Sequence, residues 1–503
     1  MRSGLFAVLG LALVALVGLG AALALVRGTL AVPDWALGQA VARVNAGLPP
    51  GARLDIASAS VDFSQGPAAP RLVADGLVLS DAAGRPQLSL PRAEVVLSGS
   101  ALARGTIVPR TVQVTGAELL IERDEEGRLA LVLIDSTAPQ VASLGAALDM
   151  LERALAGPLL ADLESLELRG LRVGYEDRKT GRRWRFGDGR LTLHSHGGQG
   201  GGLRAVLALT LQNHGPGLAT LALELERGAG APTGLRLRIG GLPVADVAPL
   251  APGLAWLAQI DAQLSGTIAL ALAPDGSIAA LDGRLAAGPG RLPLPDALGV
   301  DGGFRALSAV FRYETARDRL EFDSLEIDAP AMRALVSGHV FPLNGGGAEP
   351  RIVQLAVERL RLAPEGVFAV PVEMDGGALG LRVTPKPLHV EIGSAVLTDG
   401  GTELRLRGSL EKTGEGWRTA LDADIPAISY PRLMGLWPLT LKPKTRRWLD
   451  SNILAAEFSG VTAALRGAPG GKLASHMTFG FSGLEGHFMR SMPPITGGQG
   501  YGA

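Results

Sequence analysis

The sequence predicts a mainly β protein behind one N-terminal apolar helix, and three observations predict it. Apolar and polar residues alternate at period two along most of the chain. Glycine, at 69 of 503 residues, and 33 prolines punctuate those runs as turns. Helical periodicity is confined to about three short stretches. Few gaps are long enough for crossover helices, so βαβ topology is not expected and most neighbours should be antiparallel.

Leu5 to Val26 contains no charged residue. A stretch of roughly 20 such residues spans the hydrocarbon core of a bilayer. The sequence Ala22-Leu23-Ala24 resembles a cleavage site, but the apolar run exceeds a signal-peptide core of ~7–15 residues, which favours an uncleaved signal-anchor at 1–28. Only Arg2 precedes the run, while Arg27, Asp34 and Arg43 follow it, so flanking charge orients it weakly. Either reading sends the rest of the chain out of the cytoplasm.

Residues 29–137 read as a first β-module. Pro33-Asp34-Trp35 starts a helix with Asp34 as cap, and Trp35, Val41, Val44 and Leu48 fall near one face before Pro49-Pro50. Trp35 suits a membrane interface or the end of the first sheet equally. Strands follow at Leu72–Leu79, Gln87–Leu90, Glu94–Leu97 and Thr111–Glu122; a hairpin loop at 124–127 leads to Arg128–Ile134. The acidic triplet in that loop reads as a solvated turn. Residues 138–160 form an amphipathic helical insert, with Val141, Leu144, Leu148, Leu151 and Leu155 on one face.

From 161 to 503 the strands resume, at Leu163–Leu168, Leu191–His196, Leu203–Leu211, Leu218–Glu226, Leu235–Ile239, Ile268–Leu272, Phe304–Tyr313 and Leu320–Ile327. They continue at Leu335–Phe341, Ile352–Leu362, Leu379–Val383, Leu388–Ile392, Glu403–Leu410 and Ala420–Ile425. Short helices are expected at Val247–Ile260 and Thr445–Asn452. Leu221, Leu223 and Leu225 oppose Glu224 and Glu226, while Leu235, Leu237 and Ile239 oppose Arg236 and Arg238. One face is therefore oily and the other wet. With so few helices, the sheet must cover its own oily side as a sandwich, a solenoid or a curved trough. Either the inner residues interdigitate, or they stand apart and line an apolar groove.

The composition excludes several functions. Absence of cysteine removes thiolate catalysis, disulfides and cysteine metal sites. A net charge of -1, with acids and bases interleaved, leaves no footprint for nucleic acid. No nucleophile elbow, zinc-protease helix or phosphate-binding loop occurs. His194 and His196 share a strand face but lack an obvious third ligand, so no metal or cofactor is expected. The densest basic cluster, Lys442, Lys444, Arg446 and Arg447 beside Trp437 and Trp448, suits either a solvated helix or contact with anionic headgroups.

Taken in order, the single span, the Trp-containing helix, Val112–Arg123 with Glu126–Leu129, Leu257–Gly266, Leu325–Asp328 and the late block Tyr430–Leu433, Leu436–Pro438 and Lys444–Leu449 resemble the AsmA-like superfamily. Within it the chain is most similar to the long YhdP branch. The resemblance implies a non-enzymatic, bridge-like lipid-transfer protein of a diderm envelope. Such a protein is anchored once in the inner membrane, with a periplasmic sheet curled into a taco-like hydrophobic groove for phospholipids moving toward the outer membrane. Leu207, Leu209, Leu221, Leu223, Leu225, Leu235, Leu237 and Ile239 are then candidate walls of the groove. An outer-membrane contact or an inner-membrane partner protein would complete the bridge. Members of this branch run longer, so the end at Gly500-Tyr501-Gly502-Ala503 is expected to mark a fragment or truncated product. The alternative is a dry β-scaffold serving outer-membrane assembly or envelope integrity.

Overall fold

The computed structural model describes residues 29–503 except 48–50, 52, 65–69, 81–83, 85, 103–107, 125–128, 133–151, 153–162, 179–180, 197–201, 213–218, 229–230, 249–256, 274–276, 293–301, 342–348, 386, 470, 472 and 488–492. The expected signal-anchor and nearly all of the 138–160 helical insert lie outside the described residues. Among the described residues no helix is long and apolar enough to cross a membrane. The fold is mainly β, and the chain divides into two compact units, 1–241 with 269–279 and 242–268 with 280–503.

The first unit opens with β1 (Thr29–Ala31) and helix α1 (Asp34–Gly47). Asp34 sits inside the first turn, where a carboxylate favours the positive helix end. Asn45 pins the other end: its amide donates to Leu54 O at 2.9 Å and its carbonyl accepts Leu54 N–H at 2.6 Å. Trp35 and Val44 are exposed, at 61% and 48%, so the expected apolar helix face does not plug the sheet.

The strands that follow are β2 (Arg53–Asp62), β3 (Arg71–Ser80) and β4 (Pro86–Leu97), then a one-turn helix α2 (Gly99–Leu102), β5 (Pro109–Thr115), β6 (Glu118–Arg123) and β7 (Leu129–Val132). After them come β8 (Ser165–Asp177), β9 (Arg182–His196), β10 (Gly202–Leu211), β11 (Ala219–Gly228) and β12 (Thr233–Pro243). Sequential neighbours pair antiparallel from β1 to β5 and from β8 to β12. The expected hairpin between β6 and β7 forms. The meander is nevertheless interrupted: β8 lies parallel to both β5 and β6, which run end to end along it across Gly116. A parallel pair needs a long crossover, and residues 124–164 supply it.

The second unit contains α3 (Val244–Val247), then β13 (Gln263–Leu272) and β14 (Ile278–Ala287), which straddle the division, and the small pair β15 (Gly290–Arg291) and β16 (Gly303–Phe304). Next are β17 (Ala306–Glu314), β18 (Arg319–Asp328), β19 (Met332–Phe341), β20 (Arg351–Leu362), β21 (Val372–Met374), β22 (Gly376–Pro385), β23 (Leu388–Asp399), β24 (Thr402–Thr413) and β25 (Gly416–Ser429). Helices α4 (Tyr430–Leu436) and α5 (Pro443–Asn452) separate these from β26 (Ile453–Gly467), β27 (Ala474–Gly486) and β28 (Ile495–Gly502). Antiparallel pairing runs without reversal from β14 through β17 to β28. Sequence patterning anticipates α5, but not α4, β14 or the last three strands.

β-bulges explain several strands that run past their expected ends. In β23 the extra residues Gly393-Ser394 face Arg407 between the pairs Ile392↔Gly408 and Ala395↔Leu406. Two successive outward residues break the period-two pattern at Ile392, yet the strand continues to Asp399. Opposite that bulge Gly408 adopts φ +147°, and a Cβ there would collide with the Ala420 carbonyl. Only glycine allows this close approach.

Candidate functional site

Pairing register places the apolar residues of the first unit in lateral rows. One row crosses ten strands: Leu30, Val61, Leu72, Val95, Val112, Leu166, Leu193, Ala205, Leu225 and Leu235. At ~4.8 Å per strand it is about 43 Å long. The next row runs Ala59, Ala74, Ala93, Val114, Leu168, Leu191, Leu207, Leu223, Leu237. Leu209, Leu221 and Ile239 form a third. The eight candidate wall residues thus share one face and sit in these three rows.

Their burial differs in a way that sequence did not give. Leu225, Leu235 and Ile239 are buried at 6%, 8% and 9% exposure, whereas Leu207, Leu209, Leu221, Leu223 and Leu237 are half-buried. Leu225 and Leu235 belong to a packed cluster with Leu163, Leu193 and Leu203 near one line of strand ends. Leu211 and Ala219 are closed off near the other. Between them the middle row is closed at Ala59, Ala74, Ala93 and Val114, where Ala93 and Val114 join Leu171 and Val173 in a second packed cluster, and is half-buried from Leu168 through Leu191, Leu207 and Leu223 to Leu237.

The opposite face is a charge ladder. Glu224 pairs with Arg238 at 2.9 Å and Arg236 at 3.6 Å. Across the parallel contact, Arg172 pairs with Glu118 on this face, while Arg110 pairs with Glu164 and Arg123 with the buried Asp177 in the alternation of the apolar residues. Each of these pairs spans 54 residues. That repeated offset of complementary charges is the sequence signal that would have revealed the parallel pairing. His194 is exposed and lies on this face, opposite Arg204. Among the described residues no three His, Cys, Asp or Glu side chains converge as metal ligands.

The second unit repeats the rows and adds a seal. Leu325, Val336, Val357, Gly377, Leu397 and Leu404 are successive lateral neighbours. Phe368, Val372, Met374 and Leu436 cover this row. Val244, Ile260 and Phe304 close the neighbouring strand ends, and Leu433, Met434, Phe458 and Val461 close those farther along. All three clusters line the same rim. Toward the opposite rim, Tyr313, Leu320, Val340, Val353, Leu381 and Ile392 form a row in which every residue is half-buried. Burial therefore falls from one rim to the other. Two shallow hollows lie instead on the polar face, lined by His339 and Gln354 and by His389, Glu391 and Arg407.

The structure splits the basic and tryptophan candidates. Trp437 is half-buried and its indole donates to Leu441 O at 2.8 Å; Arg446 donates to Met434 O at 3.1 Å. These two lock the α4–α5 corner. Arg432 strengthens it by pairing with Asp399 and donating to Glu373 O at 3.0 Å. Tyr430 is buried beneath, and that burial raises its hydroxyl above the usual tyrosine range. Lys442, Lys444, Arg447 and Trp448 are displayed outward. Val370 and Leu454, exposed at 54% and 67%, belong to the same end of the unit and were missed in the sequence. Val370 lies in a loop and Leu454 is the second residue of β26, a strand the period-two pattern did not anticipate.

No family model, curated protein or solved structure matches this chain.

Proposed function

We propose that the chain is a non-enzymatic lipid-handling protein, held in the inner membrane by its N-terminal apolar stretch, which shields phospholipid acyl chains along the lateral rows in the periplasm on the way to the outer membrane. This is the role implied by resemblance to the YhdP branch of the AsmA-like superfamily. One observation supports it most: in the middle row, Leu168, Leu191, Leu207, Leu223 and Leu237 stay half-buried across five adjacent strands, β8 to β12. A dry sandwich would close those residues completely. Leu, Val and Ala walls present no hydrogen-bonding group to discriminate among tails, and burial contributes ~0.8 kcal/mol per methylene. A headgroup remains in water beside the open row.

Photocrosslinking in cells tests this reading. A photoreactive residue replaces in turn Leu223, Leu237, Glu224 and Arg236, and labelled phospholipid is scored. Adducts at the two leucines only are expected. No adduct at any position in a folded, membrane-bound chain rejects acyl-chain shielding in favour of a dry assembly scaffold.

A further inference from the structure

We propose that the α4–α5 corner is a docking tip for an anionic bilayer surface. The tip combines two features that seldom coincide on a structural corner. Val370, Trp448 and Leu454 are exposed at 54%, 42% and 67%. Lys442, Lys444 and Arg447 are exposed beside them and pair with no carboxylate among the described residues. Asp450 is the only acid on α5. A loose apolar group surrounded by unneutralised cations matches the acyl–headgroup boundary of an anionic membrane, where side chains insert shallowly and basic residues meet phosphate. A protein partner would require a packed apolar patch, and these three side chains are too dispersed in sequence to form one helix face.

Backbone geometry adds an independent reason. Lys442 is the cap residue of α5 and adopts φ 48°, ψ 58°. Among the described residues, the other non-glycine residues with positive φ are Asp188 and Asp318, of a type that tolerates this region. Glycine would relieve the strain at Lys442, so the charged side chain is retained against a local backbone preference, a pattern associated with functional positions. The remainder of the corner is rigid: Trp437, Arg446 and Arg432 are committed to backbone carbonyls. It presents the cations on a fixed platform. This inference stands whether or not the rows carry lipid, because it concerns a different surface.

The chain contains no cysteine, so one introduced thiol gives a site-specific probe. The full chain is reconstituted in neutral-lipid nanodiscs, which occupy its N-terminal apolar stretch, and carries an environment-sensitive fluorophore at L454C or V370C. Vesicles are then added with either neutral lipid alone or about one-third phosphatidylglycerol. A blue shift is expected with anionic vesicles only. Each basic residue near an anionic surface is worth roughly fivefold in affinity, so K442E/K444E/R447E lowers it on the order of a hundredfold. Lys442→Gly, which cannot disturb the fold through strain, weakens it about fivefold. A label at L473C, at the far end of β26 and about 40 Å away, stays unshifted. No shift at Leu454 or Val370, an equal shift with neutral vesicles or at Leu473, or insensitivity to the triple reversal would each overturn the proposal.

Discussion

Leu223→Glu is the most direct perturbation of the proposed lipid path. Leu223 lies in register between Leu207 and Leu237, within the half-buried stretch of the middle row. A tail lying along the row passes one strand every ~4.8 Å, which is about four methylenes of an extended chain. One-sided contact contributes about half of the ~0.8 kcal/mol of full burial, so losing one strand of wall costs about 1.6 kcal/mol. Partial desolvation of the new carboxylate brings the penalty to about 2–3 kcal/mol, roughly 30- to 150-fold in occupancy. The assay is phospholipid adduct yield at photoreactive Leu207 and Leu237, with Glu224→Gln on the opposite face as the control. Protease resistance verifies the fold. Undiminished adducts at both positions in folded Leu223→Glu protein would refute the reasoning, since no tail can cross a buried carboxylate unaffected.

Truncation separates dry from open positions. Leu171, at 1% exposure, should lose about 3–5 kcal/mol on Leu171→Ala, whereas Leu223→Ala leaves no sealed cavity and should lose about 1–2 kcal/mol; denaturant midpoints of the two variants compare them. Gly408→Ala forces a Cβ against the Ala420 carbonyl at φ +147° and should cost at least 1–3 kcal/mol, read as a lowered thermal midpoint. Asp328 is held below the ordinary aspartate value chiefly by its hydrogen bond from Arg305, with Arg333 adding to it. A lowered folded value means the contribution is fully present above the unfolded value of about 3.9 and is lost as pH falls through the folded value. Carboxylate titration by NMR should place Asp328 below the ordinary aspartate value of about 3.9 in the wild type, and Arg305→Gln should raise it.

Period two and turn residues made the strands of β10, β18 and β20 readable nearly to the residue. The same logic explains the errors. Extra residues such as Gly393-Ser394 in β23 and Asp188-Gly189 in β9 sit at bulges, so the alternation slips by one while the apolar face is preserved. A strict period-two count stops where the strand does not. The faces of Leu223 and Glu224 were legible because alternation fixes side. How deeply Leu223 is covered was not, because that depends on what lies across the sheet. The basic cluster shows the same limit: Arg446 and Arg447 are adjacent in sequence, yet one caps carbonyls of the corner and the other faces water.

The rim asymmetry of the second unit extends the lipid reading. Short helices and loops bring Phe368, Met374, Leu433 and Met434 over one line of strand ends, whereas the row through Tyr313, Val353 and Ile392 approaches the other without a buried member. An apolar strip closed along one rim and accessible along the other gives a two-part ligand only one favourable orientation. Under the proposed lipid reading, tails would lie toward the dry rim and a charged group would stay at the hairpin rim where water remains available. Hairpins at Thr315–Arg317 and Thr413–Gly416 mark that rim, with Arg317, Arg319 and Arg418 already engaged by Glu314 and Glu411. Those cations are neutralised, whereas Lys412 at the same hairpin is exposed with its ammonium 5.7 Å from the centroid of the Trp417 ring, so a passing headgroup would meet that one weakly held cation. Weak headgroup capture with continuous tail contact is the combination that lets a lipid slide, since each step along the row exchanges one set of methylene contacts for an equivalent one.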